Sequence, residues 1–200
     1  MTSIDTITIE TTDTATAQVF YDKAFGLGDR VVVRESDSPT TGFRGFTLSL
    51  IVAQPADVDA LAGAAVDAGA AVVQPPAKSL WGYGGVVTAP DGAIWKVTSA
   101  SKKNTAPAST DVDDIVLLLG TSDMAASKRY YVERGFEVSR SFGRKYTEFA
   151  SPGDGIKLAL YGRKALAKAA GVAPDGGGSH RIVIGSTAGA FTDPDGFVWA

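Results

Sequence analysis

Two hundred residues with 44% hydrophobic content suffice for one large domain or two small ones, so composition leaves the domain count open. Nineteen basic and 22 acidic side chains, scattered to a net charge of -3, give no basic stripe for phosphates and so exclude nucleic acid as a partner class. The lack of cysteine excludes disulfides, thiolate metal sites and a cysteine nucleophile; with no leader-like start and no apolar run near the roughly 20 residues that span a bilayer, a soluble cytoplasmic protein without a membrane partner is expected.

Residues 4–11 alternate apolar and polar, as a half-buried strand does. Asp13 stands where that strand must stop and a helix start, and its carboxylate can accept from the free N–H groups of the first turn. Ala17, Phe20, Tyr21 and Ala24 follow at three-to-four spacing, an amphipathic pattern that Gly26 ends. A strand over 30–35, a polar loop over 36–42 and a strand over 46–52 come next. An alanine-rich helix covers 56–68 and stops at Gly69. Strands are expected near 71–73, 84–88 and 94–98, the last two joined by the turn Pro90-Asp91-Gly92.

Residues 101–111 are polar, carry proline, and read as a linker between a first copy over 1–100 and a second over 112–200. The second copy predicts strands near 115–119, 137–141, 145–150 and 156–161. Its first helix is led by Asp123, carries Ala126, Tyr130, Tyr131 and Arg134, and is ended by Gly135. A short helix over 164–170 precedes a glycine-rich loop over 171–179, mobile or tightly turned, and strands over 181–184 and 196–199.

The two halves repeat one another. In each, an aspartate leads a helix with a tyrosine eight positions later, Asp13 with Tyr21 and Asp123 with Tyr131, and the helix exits through Phe25-Gly26 or Gly135-Phe136. Each half then ends alike, Ala89-Pro90-Asp91-Gly92-Ala93-Ile94-Trp95 in one and Asp193-Pro194-Asp195-Gly196-Phe197-Val198-Trp199 in the other. This order of landmarks resembles the vicinal oxygen chelate superfamily, which includes glyoxalases, extradiol dioxygenases, fosfomycin-modifying enzymes and bleomycin-binding proteins. The resemblance covers nearly the whole chain, once per half. It implies an α+β fold of tandem βαβββ modules whose curled mixed sheets enclose a cavity. The second copy departs from the pattern, because only 185–190 stands where the first has its long helix, so that copy is expected to be abbreviated.

The resemblance further implies a divalent metal held by His, Gln or Glu from the first strand, an inner strand and the strand after the closing hairpin. On this sequence those places fall on Thr6 and Val116, on Thr47, and on Lys96 and Ala200. An ammonium donates only and repels a cation. His180 alone matches a family imidazole, and a catalytic ion needs about three protein ligands. It reads as a loop-edge histidine bonded to backbone or water unless a carboxylate such as Glu148, or one from another chain, converges on it. No cofactor is expected.

Other side chains are candidates for lining a cavity. Thr6, Thr8 and Glu10 share one face of the first strand, and Lys96 and Thr98 one face of the closing strand. Glu10 and Lys96 pair if both faces look into one cavity, and otherwise meet solvent. Trp81 and Tyr83, flanked by glycines, either stack on a planar ligand or pack internally. Tyr146, Glu148 and Tyr161 form a second polar-aromatic lining on adjacent strands, whereas Trp95 and Trp199 read as core. The expected function is metal-free sequestration of a small organic molecule, aromatic or antibiotic-like. One alternative is a glyoxalase- or lyase-type metalloenzyme using His180 with ligands the sequence does not identify. Another is a protein whose cavity is filled by its own side chains and which acts through a partner. The open sheet edge of the abbreviated copy favours a homodimer.

Overall fold

The computed structural model describes residues 2–200. The first half forms β1 (Ile4–Thr11), α1 (Thr14–Ala24), β2 (Val31–Glu35), β3 (Thr40–Gly42), β4 (Phe46–Ile51), α2 (Pro55–Asp67), β5 (Ala71–Ser79), β6 (Gly82–Thr88) and β7 (Ile94–Ser99). The second forms β8 (Asp114–Thr121), α3 (Met124–Glu133), β9 (Val138–Phe142), β10 (Tyr146–Phe149), β11 (Lys157–Gly162), α4 (Arg163–Ala170), β12 (Gly176–Gly178), β13 (Ile182–Ser186), β14 (Phe191–Thr192) and β15 (Val198–Trp199).

The strands assemble across the halves. An eight-stranded sheet runs β5-β6-β7-β4-β8-β11-β10-β9, and a five-stranded sheet runs β14-β15-β13-β1-β2. In the larger sheet β4 lies parallel to β7 and β8 parallel to β11, so β4 to β7 with α2, and β8 to β11 with α3, are each a complete βαβββ module. The two modules join antiparallel along β4 and β8. The smaller sheet holds the remnants of two more modules, β1-α1-β2 and the helix-free β13-β14-β15, joined antiparallel along β1 and β13. The fold is therefore the expected α+β arrangement of tandem modules. The second half is abbreviated as its sequence implies, by loss of a helix. The first half is abbreviated too, since its leading module places only two strands in a sheet.

Strand alternation sets which face of each sheet is buried. Leu48, Trp95, Leu117 and Leu160 of the large sheet join Ile7, Ile9 and Ile184 of the small one, and Phe20, Leu61 and Tyr131 from the first three helices, in a single core. On the opposite face of the large sheet a second cluster forms under α4, from Phe43, Val86, Ile94, Leu166, Ala167 and Ala170. The composition of α4, Arg-Lys-Ala-Leu-Ala-Lys-Ala-Ala, is strongly helix-forming. Gly171 ends it with φ +75°, a conformation that glycine adopts without strain.

Helix starts follow the sequence in two cases and depart from it in one. Asp13 accepts from the Thr16 amide at 2.9 Å, and Asp123 from the Ala125 and Ala126 amides at 3.0 and 3.1 Å. At α2 the cap comes from the linker instead, where Asn104 Oδ1 accepts from the Ala56 amide at 2.8 Å. Buried Gln54 accepts from the Thr105 and Ala106 amides and donates to the Ala106 and Pro107 carbonyls, and Asp57 accepts from the Ser109 amide. The linker has neither helix nor strand over 100–113, yet two side chains of the first half hold it down.

The repeated tyrosines tie each helix to its hairpin, by different carboxylates. Tyr21 donates to Asp91 at 2.6 Å and accepts from Trp95 Nε1 at 3.3 Å. Tyr131 donates to Asp193, whose place in the first hairpin is taken by Ala89, while Asp195 accepts from Ser122 and Ser127. Burial, and then the adjacent carboxylate, push both phenols well above the ordinary tyrosine range.

Two loops read from the sequence contain strands. Gly176–Gly178 pairs antiparallel with Thr40–Gly42 in a two-stranded ribbon. A side chain at Gly176 would meet the Phe43 carbonyl at 2.3 Å and one at Gly42 the Asp175 carbonyl at 2.2 Å, so glycine here serves close backbone approach. Among the described residues no helix is long and apolar enough to cross a membrane.

Candidate functional site

The face of the large sheet turned to α4 is defined by register. Lys96 on β7 pairs with Val86 on β6 and Ser49 on β4, Ser49 pairs with Val116 on β8, and Val116 with Lys157 on β11. One continuous row across five strands therefore reads Val86, Lys96, Ser49, Val116, Lys157. The neighbouring row on the same face runs Thr47, Leu118, Ala159, Glu148, Arg140. Helix α4 lies over β4, β8 and β11, and between it and the sheet remains a cavity of about 210 Å³. Thr47, Ser49, Lys96, Thr98 and Tyr161 supply its polar atoms, and Val86, Ile94, Leu118, Leu166, Ala169 and Ala170 its apolar wall.

Lys96 is the one charged residue in that lining. Burial holds its ammonium below the ordinary lysine range. Among the described residues no carboxylate lies within ion-pair distance of it, the ion pairs being Arg34 with Glu10 at 2.6 Å and Lys157 with Asp114 at 2.6 Å. Its chain neighbours Trp95 and Val97 point the other way and are buried in the core, which fixes the direction of Lys96.

No family model matches this sequence, and no curated protein matches it. Solved structures do. Glyoxalase I from Zea mays aligns over 100% of this chain and 91% of its own, at 15% identity and a TM-score of 0.65. A putative dioxygenase from Bacillus subtilis aligns over 96% of this chain and 71% of its own, at 12% identity and a TM-score of 0.57. The chain has the vicinal oxygen chelate fold. The divalent metal that the resemblance implies does not fit the residues present on the sheet face under α4. The central row carries two ammonium groups and no carboxylate or imidazole, and among the described residues no three His, Cys, Asp or Glu side chains converge.

Of the sequence-predicted site residues, Thr47, Lys96 and Tyr161 meet in the cavity. Tyr146 and Glu148 lie beyond them on the same face, the Tyr146 hydroxyl donating to Glu148 at 2.9 Å and its ring edge-on to Tyr161 at 5.8 Å. Burial first, then the Glu148 hydrogen bond and charge, raise the Tyr146 phenol well above its ordinary value. Thr6 and Glu10 belong to the smaller sheet. The pairing of Glu10 with Lys96, expected if both faces looked into one cavity, is not made, because the two lie in different sheets; Arg34 on adjacent β2 takes the Glu10 carboxylate.

Trp81 and Tyr83 are also absent from the cavity. Trp81 sits at the β5–β6 turn and is 85% exposed. Tyr83 is three residues from Val86 and so faces the other side of β6, where its hydroxyl donates to Asp59 of α2 at 2.8 Å. His180 turns both ring nitrogens to backbone carbonyls, Nδ1 to Arg44 at 2.5 Å and Nε2 to Asp195 at 3.0 Å, and stacks on Phe197 at 4.0 Å. It joins the β14–β15 hairpin to the start of β4, and neither nitrogen is left for an ion. The α4 wall is what sequence reasoning missed. Its signal was Leu166, Ala167 and Ala170 on one face of a helix that directly follows a strand.

Proposed function

We propose that this protein binds a small organic molecule, without a metal, in the cavity between the eight-stranded sheet and α4. The observation that carries this reading is the row Val86, Lys96, Ser49, Val116, Lys157, where a cation in the cavity would meet the Lys96 ammonium and no carboxylate or imidazole. Size narrows the ligand. An apolar protein cavity of about 150 Å³ takes a benzene ring, and drug-sized ligands use about 300–1,000 Å³. At about 210 Å³ the space suits one ring or a short branched chain, and an antibiotic-sized guest requires α4 to move. The metalloenzyme alternative is not favoured, because His180 is bonded on both nitrogens and shares no cavity with Glu148.

The test has two parts. Protein incubated with zinc, manganese or nickel and then dialysed is expected to retain no stoichiometric ion, whereas one ion held per chain would overturn the reading. Titration of isotope-labelled protein with single-ring probes is expected to shift the amide signals of Ser49, Val86, Lys96 and Thr98. Shifts confined to Trp81 and Tyr83 would move the site elsewhere.

A further inference from the structure

We infer that the guest of this cavity is a small carboxylate with an apolar body, its anionic head seated on the Lys96 ammonium. This rests on the proposed function and specifies its ligand.

The Lys96 charge has no carboxylate partner among the described residues. Lys96 is half-buried at the cavity wall, where its ammonium has lost part of its hydration. Lys157, on the same row, is matched by Asp114 at 2.6 Å. A ligand carboxylate would supply the missing counter-charge inside a low-dielectric space, where such a bond is shorter and stronger than its neutral counterpart. The surroundings fit the rest of such a ligand. Ser49 stands beside Lys96 on the next strand and its hydroxyl can donate to a carboxylate oxygen, while Thr98, two residues along on the same face, donates to the Tyr83 carbonyl at 3.3 Å and lines the pocket as an acceptor. Val86, Ile94, Leu118 and Leu166 close around the remainder, offering an apolar body contact without a further charge. A cationic guest would face Lys96 directly, and a dianion would leave one charge against apolar wall.

Benzoate and benzamide, which share a ring and nearly a shape, separate charge recognition from simple filling. With both followed by amide chemical shifts, benzoate is expected to bind at least about tenfold more tightly. Lys96→Met, of similar length, is expected to erase that preference, and Lys96→Arg, which keeps the charge, to retain it. Equal affinity for the two probes, or a benzoate preference that survives in Lys96→Met, would overturn the carboxylate assignment while leaving the cavity reading in place. Binding of neither probe would overturn both.

Discussion

The two sheets of this molecule are built from the same kind of parts and have come to different ends. The larger keeps two complete modules and a helix laid across one face, and there a cavity opens with an unpaired lysine inside. The smaller keeps only remnants, and its polar face at Thr6, Thr8 and Glu10 is half-exposed, with its carboxylate matched to Arg34. The difference teaches that a binding face in this fold depends on what covers it as much as on the strands. Polar residues alternating along β1 and β7 look alike in sequence, and only the latter share a cavity with α4.

Four experiments bear on that contrast. The largest effects are expected from the equivalent tryptophans, one in each sheet and both fully buried. Trp95→Ala and Trp199→Ala should each cost about 3–5 kcal/mol in denaturant unfolding. A single transition in both variants is expected because one core joins the sheets, and a biphasic curve for Trp199→Ala would show the smaller sheet melting on its own. Next comes Gln54→Ala, which orphans linker amides and carbonyls and should cost about 1–3 kcal/mol. Limited proteolysis should then cut within 100–113, and unchanged resistance would show that the Gln54 bonds do not hold the linker.

Lys96→Met should act with the opposite sign. A lysine whose folded value is lowered binds its proton less readily folded than unfolded, so the fold carries a penalty below the lowered value that disappears as pH rises to the ordinary value of 10.5. The variant should therefore be more stable than the parent at neutral pH, with the gap closing toward alkaline pH. A constant gap would mean that packing, not charge, is responsible. The smallest effect belongs to Glu10→Gln. Its partner Arg34 is exposed, so the loss should be under about 1 kcal/mol and should shrink further in salt.

Much of the fold was legible in the chain because its signals are local. Asp13 and Asp123 cap helices, Tyr21 and Tyr131 face inward, and both Pro-Asp-Gly turns join strands, each set by nearby residues alone. The ribbon of Gly176–Gly178 with Thr40–Gly42 was not legible, since its reason lies in a backbone 136 residues away. The site was legible only in part. Thr47 and Lys96 follow from alternation along a strand, but which strands become neighbours decides whether Glu10 or Ser49 stands beside Lys96. That decision is long-range, and it went to Ser49. The place of Trp81 was not legible, because glycines beside an aromatic ring mark a tight hairpin tip, where this ring is exposed, as readily as a pocket.

The antiparallel seams of β4 with β8 and β1 with β13 mean that neither half owns a whole sheet. Cutting the chain between residues 100 and 113 would thus yield two fragments that interlock, not two that fold apart. Mixed as separate polypeptides, they should reassemble or remain unstructured together, with the seam strands acting as each other's template.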